Sequence, residues 1–395
     1  MKKVLKKSMH WICLFVLVAM VACSKDDKGP GTSPLSPEEH KAKLEEKGLA
    51  FVQAINVKEQ EPAVQAMKTL TELVQDESLN EIIQNLIDQV SGVAATNSLP
   101  GLMALAMDQK LYKLSDFYGK YIYNQGGWTR EDLNGKAEFH YPAGTKPAIL
   151  SITSTPSQET IPNEEGGFDI QLPASIDMTL TVNGQEELNF KLEIRLNSSA
   201  KTAGVTAKLT IARKYTWVVK SDITASKAVM EGSMTVGDNS LISLSTTLNG
   251  ADLNDPDSDN TALHSAVADI TISGIRAKGN ANIKAISEYE DKLDDAMDKA
   301  GRWEMTEQEA KGLADAYNRN MKMEFYYSDE NAKIADMVMA AYLDYKAYDV
   351  EPRLKFASDG SEITLDDYFA DQASFKDLLD AAEKLYEQYM RLLEL

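Results

Sequence analysis

Two periods of apolar residues divide the chain. From Pro37 to about Leu111 the spacing is helical: Leu44, Leu49, Val52 and Ile55, then Ala63, Met67, Leu70 and Leu73, then Leu79, Ile82, Ile83, Leu86, Ile87 and Val90. Lys, Glu and Gln fill the positions between. Ser36-Pro37-Glu38-Glu39 predicts a helix start, with a hydroxyl cap, a proline at the first position and acids in the first turn. The pattern predicts three or four helices, with a break at Asn97-Ser98-Leu99-Pro100-Gly101.

From about Phe117 to Ile286 the period becomes two. Ile176, Met178, Leu180 and Val182 alternate with Asp177, Thr179 and Thr181. Asn183-Gly184 then signals a hairpin, because both residues tolerate the left-handed backbone of a two-residue turn. Leu188, Phe190, Leu192, Ile194 and Leu196 answer on the far side. Val205 to Ile211, Met230 to Val236 and Ile242 to Leu248 repeat the alternation, with a turn at Gly237-Asp238-Asn239. Ala268 to Ile283 reads as one long strand with a bulge at Ser273-Gly274. Ala137–Tyr141 and Ala148–Ser154 bring the expectation to about eight to ten antiparallel strands, each apolar on one face and polar on the other.

The helical period returns after Ser287 with Leu293, Ala296, Met297 and Ala300. Met321 to Tyr327 reads as a short strand and Ile334–Tyr345 as a helix. Ser358-Asp359-Gly360 joins a hairpin, and Leu378 to Leu393 makes a final amphipathic helix. An antiparallel sheet with one apolar face must cover that face. The expected fold is therefore α+β: a multi-stranded antiparallel sheet covered on one face by N-terminal and C-terminal helices. Residues 37–115 are its first helical segment, 116–286 its sheet and 287–395 a mainly helical segment with short strands. The three are expected to form one body, with two separable domains as the alternative.

The amino terminus carries an address. Lys2, Lys3, Lys6 and Lys7 precede Trp11 to Ala22, an unbroken apolar run of twelve residues. That length suits a secretory signal and falls short of the about 20 residues that span a bilayer. Residues 1–22 thus read as a signal peptide and 23–36 as a flexible Gly/Pro/Ser-rich tether. Cys13 is lost with the signal, which leaves Cys23 without a disulfide partner in the mature chain. Met20-Val21-Ala22-Cys23 resembles a bacterial lipobox, with Met where Leu is usual, and the resemblance implies that Cys23 is acylated. Ser24-Lys25-Asp26-Asp27 is similar to the export signal of Bacteroidota surface lipoproteins. It implies display on the outer face of the outer membrane, anchored through acylated Cys23. Several acyl chains, at about 0.8 kcal/mol per buried CH₂, would hold the protein there durably.

Composition narrows the partners. The formal net charge of −20 becomes −24 once the four signal lysines leave, since residues 1–22 hold no acid. An acidic body is a poor ligand for nucleic acid or anionic lipid. The chain has no G-x-S-x-G, H-E-x-x-H, P-loop or G-x-G-x-x-G motif. His140 and His264 each have Ser and Asp nearby in sequence, which is common in a chain of this composition. Asp255, Asp257 and Asp259 alternate in one loop and could converge on calcium, with Asp252 and Asn254 adding oxygens. Asn260 and Ala266 stand where an EF-hand needs Gly and Glu, so the alternative is a solvated acidic loop. Tyr121, Tyr123 and Trp128 flank Gly126-Gly127 and could stack on sugar rings, or else alternate on a half-buried strand; Tyr215 and Trp217 face the same choice.

Three functions follow as expectations. The first is a non-catalytic surface lipoprotein that binds a glycan, a host protein or an envelope component, with no cofactor beyond calcium. The second is a carrier for a lipid or other apolar molecule, by analogy with half-barrel carriers. The third is a carboxylate enzyme such as a glycosidase, which needs only two suitably spaced acids from the 61 present.

Overall fold

The computed structural model describes residues 31–74, 117–124, 126–158, 173–197, 202–253 and 263–394. Within them lie one mostly antiparallel sheet of seventeen strands and six α-helices. Two short strands open the sheet's account: β1 (Gly31–Thr32) pairs parallel with β15 (Ala332–Asp344), and β2 (Gly119–Asn124) pairs parallel with β4 (Ala137–Ala143) and antiparallel with β3 (Gly127–Glu131). From β4 onward every strand pairs antiparallel with the next. The meander runs through β5 (Lys146–Pro156), β6 (Pro173–Val182), β7 (Gln185–Asn197), β8 (Thr202–Ile211) and β9 (Tyr215–Ile223). It continues through β10 (Lys227–Val236), β11 (Asn239–Gly250), β12 (Leu263–Ile272), β13 (Ile275–Ala281) and β14 (Met321–Tyr327). After β15 come β16 (Ala347–Phe356) and β17 (Glu362–Thr364).

Local chemistry sets the turns. Asn183 and Gly184 both have positive φ, 53° and 77°, the conformation that a two-residue hairpin matched to strand twist requires. Ser273 and Gly274 do the same at 49° and 83°. The long strand expected over Ala268–Ile283 is therefore a hairpin: Ile272 faces Ile275 across a two-residue turn. The described residues between 117 and 286 consequently hold twelve strands, β2 to β13, more than the eight to ten expected.

The helix expected over Ile334–Tyr345 is strand β15. Ala and Met favour helix in isolation, and Val338 and Ala340 place apolar residues on the face that should have been polar, which hides the two-residue period. Pairing with β14 and β16 on either side overrides that preference.

The helices are α1 (Pro37–Ala54), α2 (Val57–Leu73), α3 (Ile283–Lys299), α4 (Glu307–Asn320), α5 (Leu365–Ala370) and α6 (Lys376–Glu394). Ser36 and Glu39 close a reciprocal capping box at the start of α1, where the Ser36 N–H donates to Glu39 Oε2 at 2.8 Å. The expected final helix is α6. Residues of α2 and the sheet share one core: Ala63, Ala66 and Leu70 with Phe139, Leu150, Ile176, Leu180 and Leu192. A second core joins Phe51, Ala54 and Ile55 of the first helical segment to Tyr215, Met234, Val236 and Leu241. A third gathers Leu44, Tyr327, Ala335, Leu354, Phe356 and Tyr368.

Candidate functional site

Strand register carries one apolar face across the meander. Phe139 pairs with Leu150, Leu150 with Leu180 and Leu180 with Leu188. Farther along, Leu209 pairs with Trp217 and Trp217 with Met234. In β4 to β7 this face is sealed, with Phe139 and Leu180 fully buried. Across β8 to β12 it is not. Ala207, Val219, Gly232, Leu244 and Ile270 form one cross-strand row, and all are at least partly exposed. Val219 is 45% exposed, although Tyr215 and Ile223 at the two ends of its own strand are 0% and 5% exposed. Ile272, on the same face, is 47% exposed.

The neighbouring row is Val205, Ser221, Met230, Thr246 and Ala268. It is deeper: Thr246 and Ala268 are 2% and 3% exposed. The Ser221 and Thr246 hydroxyls are buried and have no hydrogen-bond partner among the described residues. A buried hydroxyl left unpaired costs free energy, so a native protein that keeps two of them on one apolar surface calls for a reason. Small residues, Ala207, Ala228, Gly232, Ala266 and Ala268, alternate on the floor with the larger Met230, Leu244 and Ile270. An added Cβ on Gly232 would meet Leu244 Cδ2 at 3.1 Å, so Leu244 leans into the space the glycine leaves. The floor is about 20 Å across five strands and carries no charged side chain.

The opposite face of the sheet is polar and holds two shallow concavities. One, of about 410 Å³, is lined by Glu193, Arg195, Thr206, Lys220, Asp222 and Glu231. Arg195 pairs with Asp222 at 2.9 Å and Lys220 with Glu231 at 3.3 Å. The Arg195–Asp222 pair crosses β8 over Gly204, where a Cβ would collide with it. The other, of about 300 Å³, has Asp269 and Arg276 paired among Ser243, Ser245 and Thr271.

Of the two alternatives for Tyr121, Tyr123 and Trp128, a sugar platform or a half-buried strand, the second fits their inward packing. Tyr121 is 5% exposed and stacks on Phe139 with centroids 4.9 Å apart. Trp128 meets Tyr123 and Phe139 edge-on, and its indole N–H donates to the Leu73 carbonyl at 3.1 Å. Tyr215 is buried, and its hydroxyl donates to Glu59 at 2.6 Å. Cys23, Ser24, Lys25, Asp26 and Asp27 lie outside the described residues, as do Asp255, Asp257 and Asp259. Among the described residues no group of three or more His, Cys, Asp or Glu side chains could hold a metal ion. His140 is half-buried beside Glu138, 3.1 Å from Nε2 to the carboxylate, and His264 is exposed.

Sequence reasoning also missed a buried histidine and a partly buried carboxylate. His40 of α1 is fully buried between Tyr327 and Phe356, with Nδ1 2.7 Å from the Tyr327 hydroxyl and no partner for Nε2 among the described residues. Burial, and then the nearby Lys43 ammonium, hold its pKa below the ordinary histidine value. The partners are 287 residues apart, so only the tertiary fold reveals them. Glu290 of α3 accepts from the Tyr317 hydroxyl of α4 at 2.6 Å. Desolvation raises its pKa above the usual carboxylate value despite that bond.

Searches of protein-family models, of curated proteins and of solved structures found no match to this chain.

Proposed function

We propose that the protein is a non-catalytic binding module, displayed on the outer face of the outer membrane by acylated Cys23. Its N-terminal and C-terminal helices cover one sheet face, and the part of that face left open across β8 to β12 is the binding surface. The observation that carries this reading is the exposure of Val219 at the centre of an otherwise apolar, inward-facing set of side chains. Contiguous exposed apolar surface on a protein marks a place where something binds. The non-catalytic part rests on a separate observation: Asp222, Glu231 and Asp269 in the polar concavities are each already paired with a Lys or Arg side chain.

Native mass spectrometry tests the binding surface. The chain from Ser24 onward, which contains every described element, is expected to co-purify with an apolar mass that denaturation releases. Val219→Glu is expected to lose it, because a carboxylate at the floor's centre would be desolvated by any apolar occupant. A clean apo mass for the wild type, with no apolar ligand taken up on addition, overturns the reading. Protease added to intact cells tests the address: it should remove the protein without disruption of the outer membrane.

A further inference from the structure

We infer that the floor across β8 to β12 takes an uncharged long-chain amphiphile, with its chain across the small residues and its polar group at Thr246 and Ser221. This rests on the reading of that floor as a binding surface, and adds the chemistry of what it holds.

Shape provides the first argument. The row from Ala207 through Val219 and Gly232 is low, and bulky side chains bound it: Trp217 and Met234 toward the first-helix core, Met230 toward the deeper row. A flexible chain of methylenes fits a shallow, irregular floor of this kind, since it needs width for one carbon chain and no directional contacts. Exposure falls from Val219 at 45% to Thr246 at 2%, so the floor has an open part and a closed end.

The closed end provides the second argument. Ser221 and Thr246 flank Met230 in one cross-strand row, and both hydroxyls are buried without a partner. Each can donate one hydrogen bond and accept others. Met230 stands between them, so a ligand group reaches either hydroxyl by displacing that flexible side chain, and there it satisfies a donor and an acceptor that the described residues leave unmet. Charge provides the third. No Lys, Arg, Asp, Glu or His points from these rows of β8 to β12, so the strands themselves offer an ionised head group no counter-ion against its desolvation cost. An ester, alcohol or amide meets the site; an ionised fatty acid does not. A pure hydrocarbon would bury the floor and leave the hydroxyls unpaired.

The probe is a monoacylglycerol brominated in mid-chain, with a brominated alkane and an ionised brominated fatty acid beside it. Bromine quenches indole emission on contact, and Trp217 lies on the same face as Val219 in β9. The chain from Ser24 onward is expected to show saturable quenching by the monoacylglycerol that Trp217→Phe abolishes, and weaker binding of the fatty acid. Thr246→Val keeps the side-chain shape and removes the hydroxyl. It should weaken the monoacylglycerol about tenfold, the usual effect of losing one buried hydrogen bond, and leave the alkane unchanged. Its melting temperature should equal or exceed that of the wild type, which separates lost recognition from lost folding. Equal monoacylglycerol affinity for wild type and Thr246→Val overturns the assigned ligand chemistry while the binding surface stands. Tighter binding of the ionised fatty acid overturns it as well. Absence of quenching by all three probes overturns both the ligand and the surface beneath it.

Discussion

The sheet's apolar face behaves differently at its two ends of the meander. Across β4 to β7 large side chains meet α2: Leu180 is fully buried against a set that includes Phe139, Leu150 and Leu70. Across β8 to β12 the same alternation continues with Ala207, Val219 and Gly232 set among larger residues such as Met230 and Leu244, and Val219 stands 45% exposed. Both stretches obey the same period, so both would seal if sealing were the only requirement. The difference shows that apolar alternation specifies a face, whereas side-chain volume and the elements laid against it specify whether that face becomes core.

The largest expected effect breaks the comparison directly. Leu180→Ala opens a cavity in the sealed stretch and should cost about 2–5 kcal/mol in chemical denaturation. Val219→Ala, made on the same face, should cost about 1 kcal/mol or less, since nearly half of Val219 is exposed to begin with. Equal costs would erase the distinction between the two stretches.

Next comes pH. The unfolded chain protonates His40 near the ordinary histidine pKa, whereas the folded ring resists protonation to a lower pH because burial and Lys43 oppose the charge. Unfolding therefore takes up a proton between those two values. Stability from this group is full above the ordinary pKa and declines as pH falls from there toward the folded value. His40→Gln should flatten that decline in thermal melts taken between pH 7 and pH 5. The open floor has nothing to titrate, so amphiphile affinity should stay level over a pH range in which the fold itself persists. A binding curve that tracks histidine protonation would place the ligand elsewhere.

The smallest effect sharpens the comparison. In ligand-free protein Thr246→Val replaces an unpaired buried hydroxyl with a methyl group of the same shape. A gain of about 1 kcal/mol in denaturant melts is expected. A loss would mean that the hydroxyl has a partner in solution and is not held for a ligand.

Much of this architecture could be read from residue order. Period-two alternation located β6, β7, β8 and β11, and Asn183-Gly184 marked its hairpin because few residue pairs accept two positive φ angles. Ser273-Gly274 carries the same turn chemistry, but flanking residues that are apolar on both sides made a bulge look equally natural. β15 was hidden because Val338 and Ala340 blur its polar face. The candidate site was not legible at all. Val219 and Leu180 occupy equivalent places in the same pattern, and only the packing of distant elements leaves one open. The His40–Tyr327 contact likewise joins residues that no local signal connects.

Thiol labelling at Val219 tests the central claim most directly. The chain from Ser24 onward contains no cysteine, because the two cysteines of the full sequence are Cys13 and Cys23. Val219→Cys and Leu180→Cys therefore each present a single thiol. Maleimide should modify Val219→Cys rapidly under native conditions, and bound monoacylglycerol should slow it, while Leu180→Cys reacts only on unfolding. If the two thiols are protected equally in the ligand-free protein, the face is sealed along its whole length and the binding surface does not exist.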